Sequence, residues 1–337
     1  MTQTLSTSTY RNEHDAGRVR EVLPDVARMK TAMVNLYFIS EPASGRWALV
    51  DTGLPMYAKS IIAAAEERFG KAARPEAIVL THGHFDHVGN VKELAEAWDV
   101  PVYSHRLELP YLTGRSDYPP PDPTVGGGMM ARTAKLFPWS AIDLGDRVRE
   151  LPADGSVPGA PRWRWIHTPG HAPGHVSLFR DADRALIAGD AFITTKQESL
   201  ISVITQLQVI HGPPAYFTTD WNMSKNSVRA LAELHPSVAA TGHGVSMYAP
   251  ELDEELTWLA ENFDHVAVPS DGRYVREPAR ADENGVTYVP PARFDPAPWI
   301  AGGLAVVGAA ALLSRQARSR SSTRWPRTLR NARARFS

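Results

Sequence analysis

An α/β fold is the class this sequence predicts, and two observations predict it. Short apolar runs rich in β-branched and aromatic residues alternate with amphipathic helical stretches, and polar clusters recur where those runs end. The composition agrees with a packed globular body: 43% hydrophobic and 22% charged residues over 337 positions.

The elements follow in order. MVNLYFIS, EPASG and RWALV, residues 33 to 50, read as a strand, a turn and a second strand that ends in DTG. Met56 to Phe69 carries apolar residues at helical spacing and stops at Gly70; Ala77 to Leu80 is then a short buried strand. That strand runs straight into THGHFDH. A helix is expected over Val91 to Trp98 and a strand at PVYSH. Residues 106 to 140, with YPPPDPTVGGG at their centre, are too long and too rich in Pro and Gly for a simple connection and predict a loop over a site. The design then repeats: WRWIHTPGH, HVSLF, the turn DADR, and ALIAGD. Mostly helical segments are expected between Ile193 and Leu231, before VAATGHG closes a last strand on another His. Catalytic groups favour the C-terminal ends of strands in such layered folds.

No cysteine is present, which excludes disulfides, thiolate metal sites and a cysteine nucleophile. The formal charge of −1 hides an asymmetry: residues 314 to 337 carry eight Arg and no Asp, Glu or Lys, leaving −9 for residues 1 to 313. A body of that sign does not suit phosphate binding, so no nucleic-acid partner is expected. The N-terminus lacks the apolar run of a secretory signal, and the expected location is cytoplasmic. Trp299 to Leu313 is an uncharged fifteen-residue run, shorter than the roughly twenty residues of a bilayer span. Two readings stay open for residues 299 to 337: membrane contact, with the Arg cluster against anionic lipid, or a helix packed on the domain followed by a basic tail. The expected organisation is an N-terminal extension at 1–21, a catalytic domain at 22–270, a Pro-rich linker or cover at 271–298, the apolar segment 299–313 and the basic tail 314–337.

The chemistry concentrates in Thr81-His82-Gly83-His84-Phe85-Asp86-His87, three imidazoles and a carboxylate in six residues out of only 12 His in the chain. Neutral imidazole and carboxylate suit zinc and related divalent ions, and alternate positions of one loop can aim two His at one ion and the Asp-His pair at another. A lone His is ordinarily a core or surface residue, and His14, His211, His235 and His265 are read that way.

The HxHxDH pattern resembles the signature of the metallo-β-lactamase superfamily. LVDTG at 49–53, TPGHAPGH at 168–175, AGD at 188–190 and TGHG at 241–244 resemble its other motifs in the same order, over about Val22 to Val268. The resemblance implies a four-layer αββα sandwich, followed here by an irregular C-terminal extension, with metals at one edge between the sheets. It implies two divalent ions, zinc first and manganese or iron(II) as alternatives. His82, His84 and His171 would hold one ion, Asp86, His87 and His243 the other, and Asp190 would bridge them. His175 competes with His171, and the resemblance favours His171. Asp51, His167 and His175 are then residues that orient ligands. His105, Glu108, Tyr111, Arg115 and Lys196 are candidates for substrate contact, against the plainer reading of helix-surface charges and a half-buried Tyr.

Two such ions sharing a water lower its pKa toward neutrality, so ester, lactone or thioester hydrolysis of a small molecule is the implied activity, with Asp86 and Asp190 as the catalytic carboxylates. Within the superfamily a glyoxalase II-like or lactonase-like branch is favoured, because the bridging carboxylate is retained. Lactonases carry a Tyr three residues beyond it, where this chain has Ile193. β-Lactam hydrolysis, a single-iron persulfide dioxygenase-like oxidoreductase and a non-catalytic binding protein are the alternatives. Oligomeric state is left open.

Overall fold

The computed structural model describes residues 16–125, 128–195 and 208–292. The chain divides into a unit of residues Met1–Ala292 and a second of Arg293–Ser337. The apolar run at 299–313, the basic tail and Lys196 lie outside the described residues. Among the described residues no helix is long and apolar enough to cross a membrane.

Two sheets form the inner layers. The first has seven strands in sequential order, β1 (Val19–Leu23), β2 (Val26–Thr31), β3 (Val34–Glu41), β4 (Arg46–Val50), β5 (Ala77–Val79), β6 (Val102–Ser104) and β7 (Val148–Glu150). Its first four strands pair antiparallel, whereas β4 through β7 pair in parallel. The second sheet comprises β8 (Arg164–His167), β9 (Val176–Arg180), β10 (Ala185–Gly189), β11 (Val238–Thr241) and β12 (Met247–Tyr248), again as sequential neighbours. Only β10 and β11 are parallel there. Among the described residues the helices of eight residues or more are α1 (Ala58–Phe69), α2 (Val91–Trp98), α3 (Trp221–Ala232) and α4 (Glu251–Val266).

Side-chain alternation sorts these elements into four layers. In β4, Ala48 and Val50 face the core between the sheets, while Trp47 and Leu49 face the core shared with α1 and α2. In β10, Ala185 and Ile187 join the central core, while Leu186 and Ala188 pack with α3 and α4. The αββα sandwich implied by the motifs is the observed architecture.

Some boundaries differ from the sequence reading. The first sheet begins at Val19, inside the stretch read as an N-terminal extension, because Val19 to Leu23 pairs with β2. Residues Arg273–Arg276 form a helical turn, and Arg280–Asp282 pairs with Gly285–Tyr288 as a hairpin, β13 and β14. The hairpin covers the loop before it: Val286 donates its N–H to Ser116 and packs against Tyr111, Tyr118 and Ala172.

A buried ion cluster ties the two sheets. Arg180, at the end of β9, donates to Asp25 in the β1–β2 turn at 2.7 and 3.1 Å, donates to Asp183, and lies 4.8 Å from the Trp163 ring centroid. Arg162 reaches the same Asp25 carboxylate at 2.6 Å. Removing Arg180 leaves the buried Asp25 with Arg162 alone and takes away the stacking on Trp163, so Arg180→Ala is expected to cost about 2 kcal/mol. Urea unfolding checks this; a loss below about 1 kcal/mol, the scale of an exposed pair, contradicts it.

Candidate metal centre

Seven side chains meet where strands end. His82, His84, Asp86 and His87 lie on the loop after β5, His171 on the β8–β9 connection, Asp190 just past β10, and His243 just past β11. Their ligand atoms form three groups, His82 with His84 and His171, His82 with His87 and Asp190, and Asp86 with His87 and His243, with the atoms of each group within 4.8 Å of one another. Two glycines allow the approach. Gly189, at φ +54°, turns the chain so that Asp190 points inward, and a Cβ on Gly242 would lie 2.0 Å from Asp190 Oδ1.

Hydrogen bonds fix which nitrogen of His87 and of His243 faces the centre. The Met33 partner is a carbonyl, so His243 Nδ1 donates to it at 3.0 Å and Nε2 faces the cluster. Asp51 takes His87 Nδ1 at 2.8 Å and is itself held by the Thr81 N–H and hydroxyl, both at 2.8 Å. His87 Nε2 is thereby left facing inward, the carboxylate–histidine arrangement common behind metal ligands. His175 does not join the groups. Its Nε2 accepts from the Asp190 N–H at 2.9 Å and its Nδ1 meets Thr168 Oγ1 at 2.9 Å, so it holds the backbone of Asp190.

Asp190 sits at the middle. Its Oδ2 lies 3.5 Å from His87 Nε2, 3.5 Å from His171 Nε2 and 3.2 Å from His243 Nε2, and His84 Nδ1 is 3.0 Å from His171 Nε2. Ligand atoms around a tetrahedral ion with bonds of about 2.0–2.1 Å stand about 3.3 Å apart. The donor set therefore fits a divalent ion. Among the described residues, three of its buried atoms, His82 Nε2, His87 Nε2 and Asp190 Oδ1, also have no hydrogen-bond partner. Buried polar atoms are rarely left so, and a cation would satisfy all three.

The electrostatics suit a cation. Burial, then the neighbouring His87, pushes His84 down to about 3, and burial holds His82 and His171 well below the ordinary value, so these rings stay neutral at pH 7. Burial also pulls on His87, but Asp190, Asp51 and Asp86 more than offset it and hold that ring well above 6.5. Asp190 stays ionised despite its burial because His243 and His87 lie beside it. Burial raises the Asp86 carboxyl.

The other predicted residues are placed differently. His167 and His105 stack at 4.2 Å, His105 meets Trp165 edge-on, and His167 donates to the Pro173 carbonyl. Neither joins the metal-ligand groups. Arg115 is exposed and bonds Thr113. Tyr111 is buried and stacks on Tyr118 at 3.9 Å. Glu108 is buried beneath the ligand loops instead of facing a substrate. Residues not picked out from the sequence include Tyr118 and Phe217, whose rings flank His84 at 4.6 and 4.8 Å, and Thr218, whose hydroxyl lies 3.3 Å from His171 Nδ1. Tyr118 comes from the Pro-rich loop, where no periodicity fixes side-chain direction.

The His105 environment makes a pH prediction. Burial, with His167 and Arg106 adding, lowers it to about 4. Its unfolded value is about 6.5, so the folded state binds fewer protons, and its contribution is complete above about pH 6.5 and lost as pH falls toward 4. His105→Asn is expected to flatten the decline of the urea midpoint between about pH 7 and 5; an unchanged slope contradicts this.

Known proteins resemble this chain in sequence and fold. The profile of the metallo-beta-lactamase superfamily matches residues 30–243. A probable metallo-hydrolase of Bacillus subtilis (strain 168), YflN, is 47% identical over 249 residues, covering 73% of this chain and 94% of that protein. A second from the same organism, YybB, is 30% identical over 205 residues, covering 60% and 79%. A beta-lactamase domain protein from Burkholderia ambifaria, at 21% identity and a TM-score of 0.51 over 74% of this chain and 77% of its own, shares the fold. With the family profile spanning the strands and loops that carry all seven side chains, the chain belongs to the metallo-β-lactamase superfamily.

Proposed function

We propose that this chain is a binuclear metallo-hydrolase that cleaves an ester, lactone or thioester bond in a small molecule, in the glyoxalase II-like or lactonase-like branch of its superfamily. The observation that carries the reading is the place of Asp190, whose Oδ2 stands within 3.5 Å of His171 on one side and of His87 and His243 on the other. One carboxylate thus serves both sets of donors. His82, His84 and His171 would hold one divalent ion, zinc first, and Asp86, His87 and His243 the second. Such ions supply a Lewis acid for the carbonyl and a water of lowered pKa.

The protein's own groups do the rest. Asp51 and the Met33 carbonyl hold the His87 and His243 rings by Nδ1 so that Nε2 of each faces the centre. The Tyr118 and Phe217 rings shield the His84 side of the site from water. The Asp86 carboxylate, 14% exposed with Oδ2 3.4 Å from His243 Nε2, reaches from the buried cluster toward solvent. That place at the edge of the cluster suits it to pass a proton to the leaving oxygen or sulfur. The complete set of Asp86, His87 and His243 supports two ions over the single iron of a persulfide dioxygenase-like reading.

The test is a hydrolysis panel of lactones, thioesters, aryl esters and a β-lactam on zinc- and manganese-loaded protein. Turnover of an ester, lactone or thioester is expected. Turnover of the β-lactam alone, or of nothing by protein carrying two metal equivalents, overturns the reading.

A further inference from the structure

We propose that Glu108, assisted by Tyr118, is a positioning residue: a buried carboxylate clamp that holds together the two loops bearing His82, His84 and His171. The inference rests on the metal-centre reading above. Glu108 is 0% exposed. Its Oε2 accepts the Gly83 N–H at 2.9 Å, and its Oε1 accepts the Gly174 N–H at 2.7 Å. Gly83 lies between His82 and His84, whereas Gly174 lies on the loop of His171. One side chain thus spans two loops far apart in sequence. The Tyr118 hydroxyl donates to Glu108 Oε2 and accepts from the same Gly83 N–H at 2.9 Å, while the Tyr118 ring packs on His84.

The residue types fit this task. Three donors converge on Glu108, and an ionised carboxylate has only acceptors to offer them. Glutamine would turn an NH2 group toward one of the backbone N–H groups and leave a buried donor unmatched. Both glycines are needed for the approach: a Cβ on Gly83 would lie 2.5 Å from the Tyr118 hydroxyl, and one on Gly174 2.8 Å from Glu108 Cγ. The clamp sets the spacing that brings His84 Nδ1 to 3.0 Å from His171 Nε2. A carboxylate spent on two backbone amides and a phenol beneath the ligands acts through them and has no contact with the reacting atoms.

The experiment compares the full chain with Glu108→Gln and Tyr118→Phe. It reads zinc affinity by chelator competition, the absorption spectrum of the cobalt(II)-loaded protein, and amide exchange at Gly83 and Gly174 in metal-free protein. Glu108→Gln is expected to weaken zinc binding by about 10–100-fold, alter the cobalt spectrum, and speed exchange at one glycine or both, since the amide keeps only one acceptor oxygen. Tyr118→Phe is expected to have a smaller effect on zinc and to speed exchange at Gly83 alone. Both amides remaining protected in Glu108→Gln would show that no clamp exists. Faster exchange with unchanged zinc affinity and cobalt spectrum would show that the clamp does not govern the ligands. If Glu108→Gln does not fold, an unchanged zinc affinity and cobalt spectrum in Tyr118→Phe overturns the proposal. Wild-type protein that binds neither metal overturns the metal-centre reading, and the clamp's role falls with it.

Discussion

Asp190→Asn is expected to fold, to lose most of its hydrolytic activity, and to retain at most one tightly held metal ion. The substitution keeps the side chain's shape and the backbone bond from Asp190 N–H to His175 Nε2, so the β10 end keeps its course. What goes is the charge that faces His87, His171 and His243 together. An amide also turns an NH2 toward ring nitrogens that must present lone pairs. With the carboxylate shared by two ligand sets gone, kcat/KM is expected to fall by about three orders of magnitude, the scale of losing the arrangement that lowers the pKa of water. Steady-state kinetics and metal analysis of the same preparation check the prediction. Full activity with two metal equivalents contradicts it.

Gly242→Ala is the second large effect, and it arises from a single methyl group. The backbone at Gly242 cannot easily yield, because its N–H bonds the Gly189 carbonyl and its carbonyl accepts the Asn35 N–H, both at 2.8 Å. The added Cβ would meet Asp190 Oδ1 at 2.0 Å and His87 Cε1 at 2.8 Å. Backbone strain is not the cause, since Gly242 is absent from the positive-φ glycines. The Asp190 side chain must rotate away, so activity is expected to fall by about a hundredfold or more, as a misplacement of about 1 Å can cause. Circular dichroism should show a folded protein. Near-normal kcat/KM in this variant would mean that the Asp190 position is not critical.

Much of the fold was legible because burial on two sheet faces leaves a strong trace. Strands such as AIV at 77–79 and ALIAG at 185–189 are buried throughout, and each runs directly into ligand-bearing residues, so strand and site were found together. The helical expectation for 193–231 held only in part. Trp221–Ala232 is a helix, but Ile193 pairs as an isolated bridge with His211, and residues 196–207 lie outside the described residues. Apolar spacing alone does not separate a short bridge from a helix there.

The supporting groups were less legible than the donors. Asp51 and His175 stood next to recognisable motifs, and the structure gives both a hydrogen bond to the cluster. The Met33 carbonyl that orients His243 is 210 residues away in sequence, and a backbone carbonyl leaves no mark in residue type. Glu108 and Tyr118 lie on an irregular stretch without period, so their direction followed only from tertiary packing. That packing turned a residue read as facing substrate into one that joins two loops.

The most direct test of the central claim is a crystal structure of zinc-loaded protein with anomalous scattering recorded at the zinc edge. Two peaks are expected, about 3.5 to 4 Å apart, one against His82, His84 and His171, the other against Asp86, His87 and His243, with Asp190 between them. A single peak, or zinc bound away from Asp190, would contradict the account.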